Sequence, residues 1–98
     1  MIKPRFLPAA EADLLKEVTY YSNAREGLGI KFHAAVSAAV MKAVASPDSG
    51  ASLPKGTRSR LVKGFPFSVV YRASDIELLV VAVAHHRRRP DYLSGRIK

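Results

Sequence analysis

FPFSVVYRASDIELLVVAVAHH, Phe65 to His86, decides the fold. Its first part, FPFSVVYR, is rich in aromatic and β-branched residues and reads as a strand. Ala73, Ser74 and Asp75 are turn material, and IELLVVAVAHH then resumes an extended run. Leu78 to Ala84 is apolar at every position, so both faces of that strand must be covered. Either the protein covers both, or helices cover one and a partner the other.

Working outward, Arg58, Arg60 and Val62 alternate with Ser59, Leu61 and Lys63 to give a further strand, stopped by Gly64. Pro47 to Gly56 mixes serine, glycine and proline without a period and reads as a loop. Before it lie two helical stripes. Ala10, Leu14, Val18 and Tyr21 step by four, four and three, and Phe32, Val36, Val40 and Ala43 or Val44 make the second. Pro8 suits a first helical turn, with Glu11 and Asp13 near the positive end of the dipole. Asn23, Gly27 and Gly29 separate the helices, and Ser46 with Pro47 ends the second. Ile2 to Leu7 carries Ile2 and Phe6 on one face with Pro4 between them, the mark of an edge strand. The expected fold is α+β, in the order β-α-α-β-β-β, with a helical hairpin on one face of a mostly antiparallel sheet. One domain over residues 1–98 is expected, with Leu14, Val18, Phe32, Val36, Val40, Val69, Tyr71, Val81 and Val83 inside.

The composition, 48% apolar and 24% charged, is that of a globular chain rather than a disordered one. The absence of cysteine excludes a disulfide framework, a thiolate metal site and a cysteine nucleophile. The Leu78–Ala84 run is far too short to cross a bilayer, and MIKPRFLPAA has no apolar targeting core. A soluble, cytoplasmic protein with no membrane partner is expected. The net charge of +8 is uneven. Residues 1–57 hold seven basic and five acidic side chains, whereas residues 58–98 hold nine and three. The second half therefore favours an acidic or polyanionic partner, although solubility alone also accounts for such charge.

AVAHHRRRPDY, Ala82 to Tyr92, concentrates the reactive side chains. Neighbouring histidines on a strand point to opposite faces, so His85 and His86 cannot share one ion. With His33 on a distant helix, a zinc site lacks ligands, and no metal or cofactor is expected. A histidine at the end of a central strand is better suited to acid or base work. Arg87, Arg88 and Arg89 offer forked donors for phosphate or carboxylate, as do Arg58 and Arg60 on the neighbouring strand. The alternative is a solvated run of charge at a strand's end. Phe67 and Tyr71 share strand parity and read as core, not as base-stacking residues. Asp13 and Glu17 read as a solvated helix face rather than a catalytic dyad.

Taken in order, LPAAEADL (Leu7 to Leu14), the helix carrying Phe32 with its Ser46-Pro47 stop, RSRLVKGFPFSVVYR and AVAHHRRRPDYLSGR resemble the RelE/ParE toxins of bacterial type II toxin–antitoxin modules. The resemblance runs from about Ile2 to Arg96. It implies a small α+β toxin that inhibits growth and is neutralised by a cognate antitoxin, whose extended or helical segment wraps it. A toxin–antitoxin heterotetramer is compatible with that pairing. RelE-like members cleave messenger RNA on the ribosome. By that resemblance the catalytic set would be Arg58, Arg60, His86, Arg87 and Tyr92. Ser68, however, stands where the RelE-like strand carries an arginine. FPFSVVYR with HHRRRP is more similar to the ParE-like branch, associated with plasmid stabilisation and with poisoning DNA gyrase without a catalytic site of its own. In that case Arg60, Arg87, Arg88, Arg89 and Arg96 would contact the target or the antitoxin. An inactive or nucleic-acid-binding relative is the remaining alternative.

Overall fold

The structure, a computed structural model, describes residues 2–87 together with Gly95 and Arg96. Strand β1, Lys3–Phe6, leads through Leu7 into helix α1, Pro8–Ala24. Pro8 sits at the start of α1, where its missing N–H costs nothing and its fixed φ suits the helix. Helix α2, Leu28–Ala45, follows after three residues, and Gly27 turns the chain at φ 79°, in the left-handed region that glycine enters freely. The helices approach so closely at Gly29 that a Cβ there would lie 2.6 Å from the Val18 carbonyl oxygen.

Residues 47–56 hold two short 3-10 turns and a two-residue strand, β2, Ala51–Ser52, where the sequence predicts only a loop. Strands β3 (Arg58–Leu61), β4 (Phe67–Ala73) and β5 (Glu77–His85) match the three predicted late strands. The sheet order is β1-β5-β4-β3-β2, antiparallel except for the parallel β1–β5 pair. The fold is thus the expected α+β arrangement, with Pro4 on an edge strand.

Both helices lie on one face of the sheet. Phe32, Val36, Val40 and Ala43 from α2 and Ala10 and Leu14 from α1 are buried against Phe67, Val69, Tyr71, Leu78, Val80 and Val83. Tyr21, Phe32, Phe65 and Phe67 meet ring to ring, with Phe32 centroids 5.0–5.1 Å from those of Tyr21, Phe65 and Phe67. Such tilted and edge-on pairs add to the gain from burial. Val18 is only half-buried. Helix α2 is long and apolar enough to span a bilayer, but its apolar side chains at 32, 36, 40 and 43 form this core. The radius of gyration, 12.8 Å, is that of a compact chain of this length.

The expected burial of Val81 holds. Val81 is fully buried, but with Val70 and Ala82 on the face away from the helices, not beside Val83. The pairing slips between Val70 and Tyr71, with Val70 opposite Ala82 and Tyr71 opposite Val80. Val81 is the extra residue of a bulge, and a bulge resets the alternation that would have put Val81 and Val83 on one side.

Candidate functional site

Strand register places Arg58 beside Tyr71 and Arg60 beside Val69. Tyr71 and Val69 belong to the helix-side core, so both arginines lie on the helix face, at the outer border of the sheet. There they tie down the 47–56 segment. Arg58 donates through Nη1 to the Gly50 carbonyl at 2.9 Å, Arg60 donates through Nη2 to the Ser49 hydroxyl, and the Tyr71 hydroxyl donates to the Pro47 carbonyl at 2.7 Å. A Cβ at residue 50 would fall 2.4 Å from the Tyr71 hydroxyl, so only glycine allows this approach.

His86 lies on the other side. Its backbone N–H donates to the Pro66 carbonyl at 2.9 Å, and its Nε2 stands 3.1 Å from the hydroxyl of Ser68. Ser68 falls between the core residues Phe67 and Val69, so it points away from the helices. His85 turns to the helix face, edge-on to Phe67 with centroids 5.0 Å apart, and its Nδ1 accepts the Arg87 N–H at 3.0 Å. The two histidines therefore do occupy opposite faces. Of the five residues the nuclease alternative requires, Arg58 and Arg60 are on one face and His86 on the other. Arg87 is exposed at the end of β5. Arg88, Arg89 and Tyr92 lie outside the described residues. No group of three metal-ligating side chains occurs among the described residues.

Arg96, expected at a target or antitoxin surface, is engaged internally. Its two Nη atoms donate to the Asp13 carboxylate at 2.7 and 3.1 Å, and Nη1 also reaches the Val81 carbonyl at 3.2 Å. Asp13 in turn accepts the Val83 N–H at 3.1 Å. Strand β1 ends opposite Val80, so beyond that point no strand among the described residues pairs with that edge of β5. The Asp13–Arg96 pair satisfies that edge instead, as buried backbone groups require. Asp13 stands three residues after Ala10 and one before Leu14, on the border of the buried stripe, which was the available signal.

A second feature escaped the sequence reading. Between α2 and β3 runs an open groove of about 750 Å³, floored by Ala34, Ala35, Ala38 and Ala39 and bordered by Ser49, Gly50 and Ala51. Lys42, Arg60 and Lys63 line it, with no acidic side chain among the described lining residues. The Nε of Arg60 is buried and has no hydrogen-bond partner among the described residues.

The model of a known family, the ParE toxin of the type II toxin–antitoxin system parDE, matches residues 5–90. Among solved structures, the fold is similar to a chain of the chromosomal ParDE toxin–antitoxin system from P. aeruginosa, with a TM-score of 0.72. The match covers 87% of this chain and 96% of that one at 21% identity, a likeness of fold. No curated protein matches the chain.

Proposed function

Since the chain belongs to the ParE toxin family of type II toxin–antitoxin systems, we propose that it arrests bacterial growth by poisoning DNA gyrase. On this reading residues 1–98 act as one toxin domain in the cytoplasm. A cognate antitoxin holds it inactive, in a heterotetramer if both proteins pair, and on a plasmid such a module would stabilise inheritance.

The observation that supports gyrase over ribosomal cleavage is the division of the candidate side chains by the sheet. Phosphodiester cleavage needs an acid or base and a charge-stabilising cation converging on one phosphate. Here Arg58 and Arg60 bind Gly50 and Ser49 on the helix face. His86 pairs with Ser68 on the other, at the position where the nuclease branch carries an arginine. A protein that traps another enzyme on DNA requires a complementary surface and no such convergence. The excess positive charge of the C-terminal half suits that role.

Purified chain added to gyrase and supercoiled plasmid tests the reading. Linear, cleaved plasmid should accumulate in proportion to the protein added, and an equimolar antitoxin should suppress it. Undisturbed supercoiling and relaxation at saturating protein would exclude gyrase as the target.

A further inference from the structure

The groove between α2 and β3, at about 750 Å³, falls within the roughly 300–1,000 Å³ of small-molecule sites. We infer that it binds a nucleotide, with phosphate between Lys42 and Arg60 and the base on the alanines of α2. Such a site stands apart from growth arrest and from gyrase, neither of which requires it.

One end of the groove gathers donors for phosphate. The Ser46 N–H donates to the Lys42 carbonyl, and the Ser49 hydroxyl donates to the Ser46 carbonyl while accepting from Nη2 of Arg60. This chain of bonds brings Lys42, Ser49 and Arg60, all lining residues, to the same end. Lys63 adds a third cation, and no Asp or Glu lines the groove among the described residues. The Nε of Arg60 is buried with no hydrogen-bond partner among the described residues. Such a donor is costly to leave unmet, and a guanidinium drawn toward a phosphate oxygen exchanges that cost for a charge-assisted bond.

The rest of the groove suits a flat ring. Ala34 and Ala38, one turn apart on α2 and exposed, give it a floor of methyl groups. Across from them, Leu61 offers unpaired backbone. Val62 donates its N–H to Phe67, and main-chain groups alternate sides along a strand, so those of Leu61 point away from β4. On that side β2 pairs only with Arg58 and Ser59 among the described residues. Leu61 thus presents a donor and an acceptor side by side, a pattern met by the neighbouring acceptor and donor on the edge of a base. An inorganic polyanion would use the cations but neither the alanines nor this backbone edge.

The test titrates ATP, adenosine, inorganic triphosphate and a 5′-phosphorylated trinucleotide into the ¹⁵N-labelled chain. ATP should bind saturably and shift amide resonances of residues 34–42, 49–51 and 59–63. Adenosine and triphosphate should each bind more weakly by more than about tenfold, since each lacks one half of the contacts. Lys42→Gln, at an exposed position, should weaken ATP binding by about tenfold, the loss of one charge-assisted bond. Ala38→Glu, also exposed, sets a carboxylate on the floor and should abolish binding while leaving the core intact. The same amide shifts at lower concentrations of trinucleotide than of ATP would identify the end of a nucleic-acid strand as the ligand, and equal or weaker trinucleotide binding a free nucleotide. Triphosphate binding as tightly as ATP, no saturable binding of ATP, shifts confined to the opposite sheet face, or an Ala38→Glu variant that binds normally would each overturn the inference.

Discussion

Asp13 and Arg96 are 83 residues apart in sequence, yet they close the edge of the central strand together. The carboxylate holds both arms of the guanidinium while accepting the Val83 N–H, and the guanidinium reaches the Val81 carbonyl. Their side chains are only 14% and 18% exposed. A pair this sheltered is costly to break from one side, because the remaining charge is left without its partner.

Asp13→Asn should therefore destabilise the fold by about 2–4 kcal/mol, near the lower part of the range for buried pairs. Arg96→Gln should cost a similar amount, and the double variant less than the sum. Thermal unfolding of the four proteins forms the cycle. Strict additivity would mean that the two side chains do not act as one unit.

Gly29→Ala tests the contact between the helices. The new methyl would meet the Val18 carbonyl oxygen at 2.6 Å and the Ser22 hydroxyl at 1.9 Å before any adjustment. The serine can rotate away, but the backbone carbonyl cannot, so the hairpin must open. A loss of about 1–3 kcal/mol in urea unfolding is expected, as for other overpacked sites. Gly95→Ala, where an added Cβ meets nothing within 4 Å among the described residues, serves as the control.

Arg5 and Glu77 provide a pH-dependent test on the far side of β5. Arg5 donates to the carboxylate of Glu77 at 2.7 and 3.1 Å, and chiefly through that hydrogen bonding holds its pKa below the ordinary 4.5. A carboxylate with a lowered folded pKa adds stability that is complete above its unfolded value and is lost as the pH falls through the folded one. Arg5→Gln should be slightly less stable than wild type at neutral pH, and the two should converge on acidification below 4.5. Both groups are exposed, so the gap should be small and should shrink with salt. A gap that widens in acid would contradict the assignment.

The fold was readable because its helices and late strands bury regular stripes, and Phe32, Val36, Val40, Val69 and Tyr71 fall where period and parity place them. Val81 is buried as expected, but its face was not readable, since Leu78 to Ala84 is apolar throughout and contains nothing that marks a bulge. Strand β2 was missed because two residues carry no period. For the site, alternation already placed Arg58 and Arg60 on the same face as Val62, which is buried in the core. That parity, followed through, separates them from His86. The Asp13–Arg96 pair depends on how distant segments meet, which no local pattern encodes. The groove escaped notice because exposed alanines on α2 look like ordinary helix formers.

The central claim, a gyrase poison rather than a messenger-cleaving enzyme, is tested most directly by inducing the chain alone in bacteria, as wild type and as His86→Ala. DNA damage response, cell filamentation and message integrity are read together. Filaments and a damage response with intact messages are expected, and little change with His86→Ala, since among the described side chains its ring is hydrogen-bonded to Ser68 alone. Codon-specific message cleavage that falls by about a hundredfold or more in His86→Ala, the loss expected for a missing acid or base, would contradict it.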